Sequence, residues 1–332
     1  MTAEWMRAAV ITRHGGPEVV RVMEVPRPVA GPGQIRVRVD CCALNALDLF
    51  VRRGTPGIHV DLPHISGGDV VGHVDQLGQG VAPSWRGRQV LLDPLVDGGA
   101  LGESAPGGLA EHVVVPAGNA IVLPGGESRP ERYAALPIAY GTARRMLFTR
   151  ARLVGGETLV VLGAAGGVGV ACVQLGHRAG ARVIACSSSS AKLERLRELG
   201  ADELVDTGSE DFSHRVWELT GRAGADVVVD YLGKETWPGS VRCTRRGGRL
   251  VSCGATTGFA ATLDLRYLWT RELDIRGSDG WDRQDLTALV EMVADGELDP
   301  VIHSVHELAD IARAMAELEE RRAFGKVVVR VA

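Results

Sequence analysis

The chain has 332 residues, of which 45% are hydrophobic and 23% are charged, and its formal net charge is −4. This length favours two domains, and the composition is that of an ordinary globular protein. The lack of a basic block argues against nucleic acid or an anionic membrane as the main partner. The longest apolar run, over 159–173, is too short to span a bilayer, and the N-terminus shows no signal-peptide pattern. We therefore expect a cytoplasmic protein.

The first third of the sequence predicts β-structure. Short runs rich in β-branched residues are separated by clusters of glycine and proline, as in antiparallel sheets with tight turns. The predicted strands cover residues 7–12, 19–25, 34–42, 70–77, 89–92 and 111–115.

From about Pro130 onward, predicted strands alternate with predicted helices. This alternation is typical of a parallel sheet covered by helices on both faces. The strands cover 158–162, 182–186, 203–205, 226–229, 249–253 and 274–276, and the helices cover 168–179, 190–199, 210–220 and 234–244. Amphipathic helices over 284–295 and 307–321 then precede a strand over 325–331, which we expect to return to the first domain.

The most informative segment is TLVVLGAAGGVGVACVQLG, residues 158–176. A strand, a glycine-dense turn, a helix and a second strand follow one another there, as a dinucleotide-binding βαβ unit requires. Glycine lets backbone N–H groups approach a diphosphate, which the positive end of the helix attracts. We expect Ala165, Gly166, Gly167 and Val168 to bind the cofactor. The alternative is a turn that only packs a helix tightly on the sheet.

Four serines and a lysine follow the second strand of this unit. An NAD-binding protein usually carries an acidic residue there, about twenty residues past the turn. The sequence instead offers Ser187, Ser188 and Lys192, whose hydroxyls and positive charge suit a 2′-phosphate. The sequence therefore favours NADPH. The alternative is that the serines only cap the next helix.

Several motifs together resemble the medium-chain dehydrogenase/reductase superfamily, the group of zinc alcohol dehydrogenases and quinone oxidoreductases. The matching segments are GGPEV at 15–19, ALNALD at 43–48, VRRG at 51–54, GGDVVG at 67–72, GQGV at 78–81, GGLAE at 107–111, the AAGGVG turn and GKVV at 325–328. The resemblance implies an α/β fold. A GroES-like, β-rich catalytic domain would cover residues 1–126 and 281–332, and a Rossmann NADP-binding domain would cover residues 127–280.

Zinc members of this superfamily resemble one another at three liganding points, and this sequence departs from them at each. Those points hold Asn45, the pair Gly68-Asp69, and a position near Ala134, and the segment 94–106 lacks the cysteines of a structural zinc lobe. A zinc site needs three or four nitrogen or sulfur ligands. None of the six cysteines forms a CxxC pair. We therefore expect reduced thiols and no metal.

In zinc-free members that this chain resembles, the Asn and Asp of the first motif line the substrate pocket. They correspond to Asn45, a possible amide donor, and Asp48, which would orient a neighbour or a ribose hydroxyl. The two tyrosines of quinone reductases are replaced by Phe50 and Pro56. Substitute proton or hydrogen-bond donors are His59, His64, Asp69 and Tyr140. Their alternative interpretations are solvated histidines, a turn cap and a core aromatic.

Further cofactor contacts are expected from Thr142, Cys253, Gly254 and Lys326. Lys326 would reach a cofactor phosphate, or would simply be a solvated lysine at the start of a strand. The segment 272–278 resembles the family's last Rossmann strand, which pairs edge to edge with a second subunit, so we expect a homodimer.

These observations lead to one main functional hypothesis and several alternatives. The main one is a zinc-independent, NADPH-dependent oxidoreductase that reduces an activated C=C bond of an enone, enoyl thioester or quinone. The alternatives are a carbonyl or imine reductase or alcohol dehydrogenase on the same scaffold, a cofactor-binding protein without redox turnover, and a redox-neutral enzyme on this fold.

Overall fold

The computed structural model describes residues 4–55, 60–96, 99–125 and 129–331. The chain divides into two compact units, one comprising Met1–Ile138 with Leu286–Ala332 and the other Ala139–Asp285. None of the helices in the described ranges combines the length and apolar character that a membrane crossing requires.

The strands, in chain order, are as follows: β1 (Trp5–Ile11), β2 (Val20–Pro26), β3 (Gln34–Leu44), β4 (His64–Ile65), β5 (Asp69–Leu77), β6 (Gln89–Leu92), β7 (Leu95–Val96), β8 (Gly99–Ala100), β9 (His112–Pro116), β10 (Ala120–Val122), β11 (Thr158–Val161), β12 (Arg182–Ser187), β13 (Glu203–Asp206), β14 (Ala225–Val229), β15 (Thr244–Ser252), β16 (Asp274–Gly277), β17 (Ile302–Glu307) and β18 (Lys326–Arg330).

The α-helices are α1 (Ala46–Arg53), α2 (Pro130–Ala134), α3 (Thr142–Arg144), α4 (Gly167–Arg178), α5 (Ser190–Glu198), α6 (Phe212–Leu219), α7 (Trp237–Cys243), α8 (Leu265–Thr270), α9 (Arg283–Ala294) and α10 (Ile311–Glu319). Two π-helical segments, Leu136–Gly141 and Arg145–Arg150, flank α3.

The first unit is built around a mixed sheet with the strand order β10-β6-β5-β3-β18-β17, to which β9 adds by pairing with β3. A smaller sheet has the order β2-β1-β4, and β7 pairs with β8. Along β3, Ile35, Val37 and Val39 point into the core and alternate with more exposed residues. This period of two is what places one face of a strand against a core.

The second unit contains a six-stranded parallel sheet with the order β13-β12-β11-β14-β15-β16. The residues Leu159, Val160 and Val161 of β11 are all fully buried, because helices cover both faces of such a sheet. The predicted α/β fold is confirmed, with a GroES-like β-rich part and a Rossmann-type parallel sheet. The β16 strand, which contains most of the 272–278 segment, lies at one edge of the sheet.

At the end of the chain, the structure confirms only part of what the sequence predicted. The terminal strand does return to the first unit, since β18 pairs with both β3 and β17. The helix predicted over 307–321 is wrong at its start, because residues 302–307 form β17 and the helix begins only at Ile311. Pairing with β18 extends β17 to Glu307, the first residue of the predicted helix, and a 3-10 turn over Leu308–Asp310 precedes the helix.

Candidate functional site

The glycine-rich turn joins β11 to α4 in the second unit. Gly163 has a positive φ of 64°, and a Cβ on Gly169 would lie 2.4 Å from the Gly163 carbonyl oxygen. Both glycines are therefore demanded by the fold itself. Gly166, the exposed N-cap of α4, is different, because a Cβ there would come no closer than 3.6 Å to the chain. Internal packing therefore explains Gly169 but does not require a glycine at position 166.

The turn is held by contacts that the sequence did not reveal. The Tyr231 hydroxyl donates to the Gly163 carbonyl at 2.7 Å, and the Ala164 N–H donates to the Cys186 carbonyl at 2.9 Å. Burial raises the pKa of Tyr231 well above its usual value, so the phenol stays protonated and donates. The predicted phosphate-binding residues Ala165, Gly167 and Val168 lie in this fixed turn and the first turn of α4.

The serine-lysine segment lies at the end of β12. Ser189 is the N-cap of α5 but makes no side-chain cap hydrogen bond, and Ser187 is buried and accepts from the Ser189 N–H at 3.2 Å. Ser188 is exposed. Burial and the positive charge of Arg195 lower the pKa of the partly buried Lys192. Asp206 on β13 is aligned with Ser187 and brings a carboxylate to this region.

The other candidate site residues of this unit differ in how deeply they are buried. Thr142 is buried at the start of α3, and Gly254 is exposed after β15. Burial raises the pKa of Cys253 to about 12, so it is a thiol rather than a thiolate at neutral pH. Tyr140 is fully buried, and its hydroxyl donates to Gln174 Oε1 at 2.6 Å. Tyr140 is thus a core aromatic whose hydroxyl has a partner within the unit.

In the first unit, three strand ends bring distant residues together. Ala43 of β3 pairs with Asp69 of β5, and Leu44 pairs with Val327 of β18. Asn45 follows β3 directly, and Lys326 starts β18, so both lie beside Asp69. We call Asn45, Asp69 and Lys326 the lysine cluster.

The lysine cluster is a buried hydrogen-bonded ion pair. The Lys326 ammonium donates to Asn45 Oδ1 at 2.5 Å and to Asp69 Oδ2 at 2.8 Å. Asp69 also accepts from the Ile138 N–H at 2.9 Å. Asp69 is 0% exposed and Lys326 is 1% exposed. The alternative of a solvated lysine is wrong, whereas a contact of Lys326 with a cofactor phosphate stays a prediction.

The cluster fixes the orientation of the Asn45 amide. Its oxygen faces the ammonium, and its Nδ2 donates to Asp69 Oδ2 at 2.9 Å. The reverse orientation would set the amide NH₂ against the ammonium and the oxygen against the carboxylate. Among the residues that the structure describes, the second Nδ2 hydrogen has only the Ala43 carbonyl as an acceptor, at 3.4 Å. Asn45 therefore retains a weakly engaged N–H whose donor strength the ammonium increases.

Asp48 is a positioning carboxylate rather than a member of the cluster. It is the third residue of α1, and its two oxygens accept from the N–H groups of Asn45 and Gly67, both at 2.8 Å. Burial raises the pKa of Asp48 to about 6, an effect that the backbone bond to Asn45 opposes and the charge of Asp69 reinforces. Asp48 thus orients its neighbours, which is one of the two roles expected of it.

His64 is 6% exposed and belongs to the same unit. Burial lowers the pKa of its imidazole, and a backbone hydrogen bond with Gly102 opposes this in part. Within the described residues, its Nε2 has no hydrogen-bond partner, and the bonds of the lysine cluster do not reach it. It stays a candidate proton donor. His59 and Pro56 lie outside the described residues.

The ligand atoms that the lysine cluster offers favour a cation other than zinc. Asn45 and Asp69 lie at two of the positions where the superfamily's zinc members carry their liganding motifs. They offer an amide oxygen and a carboxylate oxygen, and both oxygens already accept hydrogen bonds from the Lys326 ammonium. Cys42 lies near the cluster, but burial raises the pKa of its thiol well above the usual value. Among the described residues no group of three His, Cys, Asp or Glu side chains is placed to hold a metal ion. The cation that these oxygens hold in this structure is the Lys326 ammonium.

Two family models match the chain. One, described as an alcohol dehydrogenase GroES-like domain, matches residues 31–125, and one described as a zinc-binding dehydrogenase matches residues 167–295. A quinone oxidoreductase from Pseudomonas aeruginosa is 30% identical, with 95% of this chain and 97% of the relative covered.

Solved structures show the same similarity. A structure titled as an NAD-dependent alcohol dehydrogenase is 38% identical with a TM-score of 0.93, and the match covers 98% of this chain and 100% of that one. A 2-octenoyl-CoA carboxylase reductase solved with NADP and 2-octenoyl-CoA is 26% identical with a TM-score of 0.90, covering 99% of this chain and 88% of that one.

The first prediction concerns Asp48. Its pKa is about 6 in the folded chain against 3.8 ordinarily, so the folded state gains stability as the pH falls through this window. Relative to Asp48→Asn, the native chain should gain about 2 kcal/mol of unfolding free energy between pH 7 and pH 4. Urea titrations at several pH values measure this. The exposed Asp264, whose pKa is lowered, should give the opposite sign in Asp264→Asn, and a flat difference for Asp48 would contradict the assignment.

The second prediction concerns the buried ion pair. Lys326→Met leaves the Asp69 carboxylate buried without its cation and should cost about 3 to 5 kcal/mol of unfolding free energy. The double variant Lys326→Met with Asp69→Asn should recover most of this loss, because no uncompensated charge remains. Additive losses in urea unfolding would show that the two side chains do not interact.

Proposed function

Because the chain belongs to the medium-chain dehydrogenase/reductase superfamily, we propose that it is a zinc-independent, NADPH-dependent reductase. Its substrates would be compounds with an activated C=C bond, namely enones, enoyl thioesters or quinones. The observation that carries this proposal is the lysine cluster, which places a buried ammonium and an oriented amide where zinc relatives carry metal ligands.

The cofactor side of the proposal rests on the second unit. Backbone N–H groups at the start of α4 would bind the diphosphate, with Gly166 leaving it room. Ser187, Ser188 and Lys192 would take the 2′-phosphate, with Arg195 adding charge. The bound cofactor supplies a hydride from C4 of its nicotinamide ring. The similarity to a reductase solved with NADP supports this choice of cofactor.

The substrate side of the proposal rests on Asn45. Hydride addition to a conjugated carbon puts negative charge on the carbonyl oxygen, which a fixed donor must stabilise. The second Nδ2 hydrogen of Asn45 would donate to that oxygen, with the amide polarised by Lys326 and held by Asp69. Asp48 holds the backbone of Asn45 in place. His64 or water would return the proton to the neighbouring carbon.

Direct reduction of a carbonyl group is the second candidate. It is favoured by the 38% identity to an NAD-dependent alcohol dehydrogenase and by Asp206, a carboxylate aligned with Ser187 that would suit NADH better than NADPH. The Asn45 amide would also donate to a carbonyl oxygen that becomes an alkoxide. The two candidates differ in product, a saturated ketone or thioester in one case and an alcohol in the other.

The decisive experiment is a screen of NADPH and NADH oxidation with enones, enoyl thioesters, quinones, aldehydes and imines, with and without a chelator, followed by product identification. The proposal expects saturated products and a rate that the chelator does not change. Loss of activity with chelator and recovery with zinc would refute the metal-free claim. Cofactor binding without oxidation of any compound would instead identify a protein without redox turnover.

The third prediction tests the choice of cofactor. Lys192→Glu should raise the KM for NADPH by about tenfold or more while changing the KM for NADH little, because only NADPH carries the 2′-phosphate. The control is Arg197→Glu, which makes the same change of charge on an exposed side chain of the same helix and should affect neither cofactor. Equal changes for NADPH and NADH in Lys192→Glu would remove the argument for NADPH.

The fourth prediction tests the oxyanion donor. Asn45→Ala should lower kcat by about 10²- to 10³-fold, the usual effect of removing one such donor. The KM for NADPH should stay nearly unchanged, since the amide is assigned to the substrate. Steady-state kinetics with the best substrate of the screen measure both constants. An unchanged kcat would show that another group stabilises the oxygen.

A further inference from the structure

Tyr231 lies just after the end of β14, beside the start of the glycine-rich turn. The strands β11 and β14 are neighbours in the parallel sheet, with Val161 opposite Val229, so Gly163 and Tyr231 each stand two residues past this pair. The strand order of the sheet reverses between β11 and β14, and ligands of such sheets bind at the carboxyl ends of the strands at that point. Tyr231 therefore lies at the end of the sheet where the cofactor is proposed to bind.

The Tyr231 hydroxyl bridges the two ends of the turn. It donates to the Gly163 carbonyl oxygen at 2.7 Å. Burial is the largest cause of the raised pKa of Tyr231, and a hydrogen bond from the Gly169 N–H to the phenol oxygen opposes that rise. A phenol can donate one hydrogen bond and accept another at the same time. The hydroxyl thus connects the residue that opens the turn with the third residue of α4.

This bridge determines which backbone donors stay available at the start of α4. The first N–H groups of an α-helix have no partner within the helix. In α4 the Val170 N–H donates to the Gly166 carbonyl at 2.9 Å, and the Gly169 N–H donates to the phenol oxygen. The N–H groups of Gly167 and Val168 take no part in the bridge, and they are the donors that would face a phosphate.

Glycine at position 163 lets the phenol come this close. A Cβ on Gly163 would lie 3.2 Å from the Tyr231 hydroxyl oxygen and 3.5 Å from its Cε2, and a Cβ on Gly166 would lie 3.8 Å from the same oxygen. The hydroxyl therefore lies next to both glycines. A larger residue at position 163 would push the ring away from the turn, besides straining the positive φ of 64°.

The loop that carries Tyr231 is itself held at several points. The Tyr231 carbonyl accepts from the Thr256 N–H at 3.2 Å, which ties it to the segment after β15. The Asp230 side chain is buried and accepts four hydrogen bonds. Their donors are the N–H groups of Leu232 (2.9 Å) and Gly233 (3.2 Å) and the hydroxyls of Thr236 (2.8 Å) and Ser240 (2.7 Å). The phenol therefore projects from a constrained loop.

We propose that Tyr231 is a positioning residue for the cofactor. Its hydroxyl holds the turn, before the cofactor arrives, in the conformation that presents the N–H groups of Gly167 and Val168 to the diphosphate. The hydroxyl acts through Gly163 and Gly169 and does not touch the cofactor. Binding then costs less conformational entropy, because the turn is already ordered. This inference rests on the proposed binding of a dinucleotide, and it applies equally to NADPH and NADH, which share the diphosphate.

Hydrogen exchange in the full chain without cofactor tests the bridge directly. Tyr231→Phe keeps the ring and removes the hydroxyl, so both hydrogen bonds of the bridge are lost. Mass spectrometry should show about tenfold faster exchange of the amides over 163–170, the effect of losing two ordinary hydrogen bonds. The amides of β12 should keep their protection. Unchanged exchange in the turn, or an equal increase in β12, would overturn the proposal.

The matched control is Tyr267→Phe. Tyr267 is a half-buried tyrosine of α8 in the same unit, with the guanidinium carbon of Arg271 4.7 Å from its ring centroid. This substitution also removes a phenol hydroxyl, but from a different element, so exchange over 163–170 and the binding of NADPH and NADH should stay as in the native chain. A change in the turn as large as that of Tyr231→Phe would contradict the assignment to the bridge.

Cofactor binding gives a second, independent readout. Fluorescence titration measures the Kd of NADPH and of NADH, and Tyr231→Phe should raise both by about tenfold. With a substrate from the screen, the KM for the cofactor should rise while kcat at saturating cofactor stays unchanged, because the phenol orders the turn and takes no part in the reaction. Lys192→Glu differs, since it should weaken NADPH far more than NADH.

The possible results separate this inference from the proposed function. A native chain that binds neither NADPH nor NADH would refute the proposed function, and this inference with it. If the native chain binds them and Tyr231→Phe binds them as tightly, only the positioning role of Tyr231 is refuted. A fall in kcat at saturating cofactor, or an increase in Kd for NADPH alone, would also contradict that role.

Discussion

The contact on which the first unit depends is the pairing of Lys326 with Asp69 and Asn45. A buried ammonium is tolerated only where its donors have acceptors, so the ends of β3, β5 and β18 must meet in this register. Gly325 permits it, with a φ of 84° and a Cβ position only 2.4 Å from the Val301 carbonyl oxygen. The same ion pair orients the Asn45 amide, and this links the topology of the sheet to the proposed chemistry.

In the second unit, the corresponding feature is the glycine-rich turn that we propose to bind the cofactor. The turn after β11 is fixed by the Tyr231 hydroxyl and by the hydrogen bond to the Cys186 carbonyl, while Gly166 is exposed and could carry a Cβ without a contact shorter than 3.6 Å. A rigid turn with an open outer face is suited to binding a phosphate group, because the N–H groups need no reorganisation on binding. The proposed chemistry and the proposed cofactor binding therefore rest on separate groups of contacts.

The sequence predicted the fold well because its signals are local. Alternation of strands and helices and the glycine turn are read within short windows, and they sufficed for the parallel sheet. The Lys326–Asp69 pair was not predicted, since no local pattern connects residues 257 positions apart. Tyr231 was missed for the same reason, as was β17, which depends on its pairing with β18. Asn45 and Asp48 were identified by family resemblance, but their partners came only from the structure.

We propose that this scaffold delivers hydride to a conjugated carbon with an oriented amide and a buried ammonium in place of a metal. The most direct measurement uses metal-depleted protein, an enone and NADPH deuterated at C4, with the product analysed by NMR. The account predicts a saturated ketone with deuterium on the carbon β to the carbonyl. An allylic alcohol with deuterium on the carbinol carbon, or a reaction that occurs only after zinc is added, would contradict it.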